Sequence, residues 1–222
     1  MATLLSSFVI GSTDTNSVAL TNDAKSAISY GARKIIAHTS LNEMLLFLGN
    51  SASYFYYAVR KTGKREAHLI PVSGRYTLDE EDKRYSDSHF IETYVTPVVT
   101  RALTENRVIV LIDHTHSGIT VDNFVSVLDS RCNGRCKLAL INLVAEAQVL
   151  GHSIRPPRKV GTRYEVVLPN VGVELFNEHF FRLTPHHPRS KWHLSNPNLI
   201  TEHQSKDPRR KETIRDIEEM DI

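Results

Sequence analysis

The sequence predicts an α/β fold: a central parallel sheet with helices on both faces, followed by a small C-terminal extension. Two observations carry that reading. Val108 to Ile112 is a run of five apolar residues, three β-branched at its start, which is too short for a self-standing helix and too continuous for a half-exposed strand. It is followed by a polar loop and then by Val121, Phe124, Val125 and Leu128 on one helical face. The same strand, loop and helix order recurs along the chain, and such alternation with short connections argues for a parallel sheet covered on both sides. At 222 residues the chain suits one domain, taken as residues 1–200, with residues 201–222 as a charged tail.

In chain order, Met1 to Ser12 reads as a strand or docking segment: it lacks a basic n-region, and Ser6 and Ser7 break its apolar run. Residues 12–24 have loop composition, and Asp23-Ala24-Lys25 can open a short helix. Arg33 to His38 is a candidate short strand. Glu43 to Leu48 is a strand or the middle of a helix capped at Ser40, and the small-residue loop Gly49 to Ser53 that follows favours the strand. Tyr54 to Arg60 has helical spacing at Phe55, Ala58 and Val59, and Ala67 to Val72 reads as the next strand. Ser73 to Ser88 is charged and aperiodic, a surface loop or a lid. Phe90 to Leu103 forms the helix leading into the central strand, where Pro97 would kink it or mark a break. Asn133-Gly134 is a turn, Cys136 to Val144 the next buried strand, Arg155 to Lys159 an extended basic connection, and Tyr164 to Leu168 an edge or last strand. Val173, Phe176, Phe180 and Phe181 can cover the sheet. Beyond Ile200 the chain is highly charged with few apolar residues, so it reads as disordered or as a marginal surface helix contributing little core.

Composition narrows the partners. Lys plus Arg number 27 against 25 Asp plus Glu, a net charge of +2, so there is no basic excess of the kind a nucleic-acid binder shows. Two cysteines, Cys132 and Cys136, cannot form a disulfide framework and lack a second pair to complete a zinc site, which fits a reduced, cytoplasmic protein. No stretch approaches a membrane span. His179, His186, His187 and His193 have no acidic or cysteine partner at matching distance, so packing or surface roles outweigh a metal site. Trp192 is the only tryptophan, a core or docking residue or a surface for stacking on a base.

The stretch Arg107 to Thr120, R-V-I-V-L-I-D-H-T-H-S-G-I-T, carries the chemistry. A loop at the carboxyl end of a parallel strand faces the unpaired N–H groups and positive dipole end of the next helix, and Ser117, Gly118 and Thr120 suit an anion there. The run resembles the phosphoribosyl pyrophosphate motif of type I phosphoribosyltransferases: about four apolar residues, two acids, three variable positions, then Thr/Ser-Gly-x-Thr. Ile112 and Asp113 fall on the acidic pair and Ser117-Gly118-Ile119-Thr120 on the phosphate loop. The likeness covers about residues 40 to 145 and implies a phosphoribosyltransferase-like fold. It implies that Asp113 binds the ribose hydroxyls and that Thr115, Ser117, Gly118, Ile119 and Thr120 hold the 5′-phosphate. His116 stands where the family often has an aspartate near the base. Asn50, Ser51, Ala52 and Ser53 occupy the place of the pyrophosphate loop, without its usual basic residue, and Arg75 and Tyr76 that of the flexible loop closing over substrate.

Two functional classes follow from the resemblance. In the first, the chain is a glycosyltransferase acting on a phosphorylated ribose or nucleotide at C1, with Asp113 and His116 as catalytic residues and Mg2+ accompanying the pyrophosphate substrate. In the second it keeps the fold and the phosphate loop without the transfer chemistry, as a nucleotide-binding regulator or a protein-interaction module. A homodimer is a further expectation.

Overall fold

The computed structural model describes residues 20–49, 52–70, 91–114, 118–146, 157–169 and 208–222. The first helix, α1 (Asn22–Ala37), starts where the Thr21 hydroxyl accepts from the Ala24 amide at 3.2 Å, satisfying a first-turn donor. Ala24, Ala27, Ile28, Ala32 and Ile35 recur at three- and four-residue spacing, and all are buried. The strand expected at Arg33 to His38 is therefore not formed: Arg33–Ala37 is the last turn of α1 and His38 its C-cap. The adjacent isoleucines 35 and 36 mimic a strand, but they end a longer helical period whose earlier positions are mostly small residues around Ile28. Arg65 closes this end by donating to the carbonyls of Ile36 and Thr39 at 2.8 and 2.6 Å.

Three further helices and five strands follow before the chain's last described helix. They are β1 (Glu43–Leu48), α2 (Ser53–Lys61), β2 (Glu66–Ile70), α3 (Thr96–Thr104), β3 (Val108–Asp113), α4 (Ile119–Cys132), β4 (Lys137–Ala145) and β5 (Thr162–Leu168). A π-helical turn, Ile91–Val95, leads into α3, and Pro97 stands in the first turn of α3. Its missing N–H does no harm there, so the proline marks the break between the two segments. Of the strand expected at Ala67 to Val72, Ala67–Ile70 lies in β2 and the rest falls outside the described residues, as do Met1 to Ser12, Ser73 to Ser88, the segment with Val173 to Phe181, the four C-terminal-third histidines and Trp192.

The five strands form one parallel sheet in the order β2-β1-β3-β4-β5. β3 lies in the interior, and β5 is an edge. Pleating sends alternate residues to opposite layers. Leu45, Phe47, Val110, Ile112, Ile141 and Leu143 face α1 and α2, whereas Met44, Leu46, Ile109, Leu111 and Leu140 face α3 and α4. Each layer excludes water from its face, which is why β1 and β3 read as unbroken apolar runs. Gly31 lets α1 approach α2, since a Cβ there would lie 2.4 Å from Phe55 Cε1.

The amino end of the sheet is ionic. Arg107, immediately before β3, pairs with Glu66 and with Glu105, and donates to the Glu43 carbonyl at 2.8 Å. Arg101 joins Glu66 at 2.9 Å, and Arg163 of β5 pairs with Glu43 of β1. Within the charged tail, expected to be disordered or a marginal surface helix, the described residues form a helix, α5 (Pro208–Glu219), and Ile217 is 1% exposed within the α1/α2 layer, more core than the composition implies. Asp216 accepts from the Leu20 amide at 3.0 Å and pairs with Lys25, Ser29 Oγ donates to the Asp221 carbonyl, and Lys61 donates to the Met220 carbonyl. Met220 and Ile222 pack against the same layer and Thr213 is buried, so a highly charged helix docks through a few apolar contacts with polar ones beside them.

Candidate functional site

Strand order positions the site. From β1 the chain goes to β2 on one side, while β3 leads to β4 on the other, and the helices following β1 and β3 cover opposite faces. The carboxyl ends of β1 and β3 therefore flank the topological switch point, where open α/β sheets leave a crevice for ligands. Leu48 and Asp113 end these adjacent strands, with Phe47 and Ile112 in direct register. The loops beginning at Gly49 and His114 consequently leave the sheet side by side.

Asp113 is the last residue of β3 and is 7% exposed. Gly118 is the N-cap of α4 at φ 71° and ψ −9°, a left-handed conformation that brings the chain sharply from loop to helix, and as a glycine it supplies no capping side chain of its own. Thr120 follows in the first turn and is half-buried; Ile119 opens the helix. The first-turn amides of α4 thus point toward the carboxyl end of the sheet, as an anion site needs. Thr115, His116 and Ser117 lie outside the described residues.

Across the switch point, Ala52 is the N-cap of α2 and Ser53 its first residue, both buried. Asn50, Ser51, Arg75 and Tyr76 lie outside the described residues. Gly49 donates its amide to the Ile70 carbonyl at 2.9 Å, so this N–H is committed to holding the end of β1 against β2. Asp122, in the first turn of α4, accepts from the Arg158 and Lys159 amides at 2.8 and 3.0 Å. Its carboxylate pins the connection into β5 along α4, and Lys159 also donates to Ser126.

The motif's acidic pair is divided by the pleat. Ile112 is 0% exposed in the α1/α2 layer, whereas Asp113 faces the other way with Ile109 and Leu111. An acid at position 112 of this strand would enter an apolar layer, which gives Ile112 a packing reason. No protein-family model, curated protein or solved structure matches the chain. One residue that motif reading passed over is Asn142 of β4, which is the register partner of Asp113 and is 1% exposed. Its signal in the sequence is a single polar residue inside the run L-A-L-I-N-L-V-A.

Among the described residues, no three His, Cys, Asp or Glu side chains group closely enough to hold a metal ion. None of the described helices is long and apolar enough to cross a membrane.

Proposed function

We propose that the chain is a phosphoribosyltransferase-like protein that takes a phosphorylated ribose or a nucleotide at the carboxyl ends of β1 and β3. The observation carrying this reading is the joint position of Asp113 and Gly118 at the switch point, one at the end of the central strand and the other at the start of the helix after it. The phosphate would sit on the first-turn amides of α4 with the hydroxyls of Thr115, Ser117 and Thr120, beside Ile119, and the ribose hydroxyls on Asp113. In ribosyl transfer at C1, Asp113 would hold the sugar as positive charge develops at the anomeric carbon. His116 would give or take a proton at the base, which an imidazole can do near neutral pH. Asn50, Ser51, Ala52 and Ser53 across the crevice, with Arg75 and Tyr76, would take a pyrophosphate. Mg2+ belongs to this reading as part of the pyrophosphate substrate, since magnesium is commonly held by one or two carboxylates together with substrate phosphates.

A second reading, a phosphoribosyltransferase-fold regulator or interaction module without transfer chemistry, is favoured by Ile112, whose burial in the opposite layer leaves Asp113 without a neighbouring acid on its own strand. A thermal-shift panel separates the two. A ligand at about 100 times its Kd adds about 2.7 kcal/mol, a shift of roughly 5–10 °C for a chain of this size. Stabilisation by phosphoribosyl pyrophosphate with magnesium, followed by release of pyrophosphate with an acceptor base, supports the enzyme. Stabilisation by nucleoside monophosphates alone supports the module. No shift with any phosphorylated ribose compound at millimolar concentration removes the enzyme and the nucleotide-binding regulator, and leaves only the protein-interaction module.

A further inference from the structure

Position 142 is where β4 abandons its apolar pattern. On the face that β4 turns toward α4, Leu140 is 0% exposed and Asn142 is 1% exposed, so an amide has been carried into a layer that also contains Val121 and Phe124. An amide survives such burial when its hydrogen-bonding groups are met by protein. The parallel register sets Asn142 directly opposite Asp113, and adjacent strands lie about 4.8 Å apart. Register neighbours project to the same face, so the side chains of Asn142 and Asp113 leave the sheet on one side at the carboxyl end of the two central strands. Neither residue is free of partners.

We propose that Asn142 is a positioning residue for Asp113, turning its carboxylate toward the hydroxyls of the ligand's ribose and replacing, from the neighbouring strand, the partner that position 112 does not supply. The proposal rests on the reading of this crevice as a ribose-phosphate site. A carboxamide suits the task because its two N–H donors can hold one carboxylate oxygen while the other remains for a sugar hydroxyl, and because it brings no charge. A second acid at 142 would set like charges side by side in a buried place, raising the cost of keeping Asp113 ionised.

Titration calorimetry with ribose 5-phosphate and with inorganic phosphate tests this on the native chain, Asn142→Leu, Asp113→Asn and the double variant. The native chain should bind ribose 5-phosphate more tightly than phosphate. Asn142→Leu should weaken ribose 5-phosphate by about tenfold, the scale of one hydrogen bond to a charged group, and leave phosphate unchanged. The double variant should lose no more than Asp113→Asn alone, because the two residues act as one unit. Equal weakening of both ligands, additive losses, or an unchanged ratio in Asn142→Leu overturns the proposal. If Asp113→Asn loses the ribose preference while Asn142→Leu keeps it, the site stands and the positioning role falls. If the native chain binds neither compound, both fall together. Should Asn142→Leu fail to fold, Asn142→Ser carries the same test: a reduced ribose-to-phosphate ratio is expected, and an unchanged ratio overturns the role.

Discussion

At φ 71° Gly118 holds a backbone conformation that costs an L-residue about 1–2 kcal/mol, and on the proposed reading a side chain at the mouth of α4 would compete with the phosphate for the first-turn amides. Gly118→Ala should therefore lower the melting temperature by a few degrees and weaken inorganic phosphate, whereas Gly118→Trp should abolish phosphate binding; native-like phosphate affinity in the tryptophan variant would sink the anion site. His116→Ala divides the two functional readings, since an enzyme loses turnover while still binding and a module has no turnover to lose. Glu66 carries the pH prediction. Burial pushes its carboxyl up, but hydrogen bonds from Arg107 and His68 and the charges of Arg107 and Arg101 outweigh that, so it lies below its ordinary 4.5. A group lowered on folding adds stability above its unfolded pKa and loses it as pH falls through the folded one. The native chain should hence exceed Glu66→Gln in urea midpoint near neutrality, with the gap closing as pH drops below the ordinary 4.5. A gap that stays constant through acid titration would contradict the network's role.

Elements were legible where burial on both faces leaves a continuous apolar run. Glu43–Leu48, Val108–Asp113 and Lys137–Ala145 are such strands, and their boundaries agree closely with the pattern. α1 is not legible over its last turn because its buried face is, apart from Ile28 and Ile35, built from alanine, serine and glycine, which carry little hydropathy contrast. The docking of α5 is not legible for a related reason, since a helix held by Asp216, the Met220 and Asp221 carbonyls, buried Ile217 and half-buried Met220 and Ile222 has the composition of a solvated one. Ile217→Ala should cost about 2–5 kcal/mol, as buried aliphatic truncations do, and a urea midpoint equal to that of the native chain would show that α5 does not stabilise the core. In the site, Asp113 and Gly118 were legible as a motif, but the division of Ile112 from Asp113 follows from the pleat, and Asn142 from a pairing across about thirty positions of sequence that no local pattern contains. The turn after α4 gives a chemical check. Burial and the neighbouring Cys132 push the Cys136 thiol up to about 12, and Cys132 is itself buried. Both should be alkylated far more slowly at neutral pH than cysteine in the urea-unfolded chain; rapid labelling of the native protein would count against this packing.

Across the whole molecule the two ends of the sheet have separate tasks. Arg107, Glu66, Arg101, Glu43 and Arg163 tie the strands together at the amino end. The carboxyl end is left to Asp113, Asn142 and the starts of α2 and α4. Substitutions in the ionic network should accordingly change stability without changing ligand preference, which should respond only to substitutions at the carboxyl end. The docking of α5 has a further consequence, in time. Ile217 completes a layer otherwise supplied by α1, α2 and the sheet as far as Leu168, yet a ribosome adding about 5–20 residues per second reaches it several seconds after β5 has been made. Throughout that interval the nascent chain carries an unfinished apolar face beside α1 and α2. Ribosome-bound chains that expose residues only to about 200 should be cut readily by protease and retained by chaperones, whereas chains that expose α5 should become resistant, so maturation is timed by a short charged helix encoded far downstream of the surface it closes.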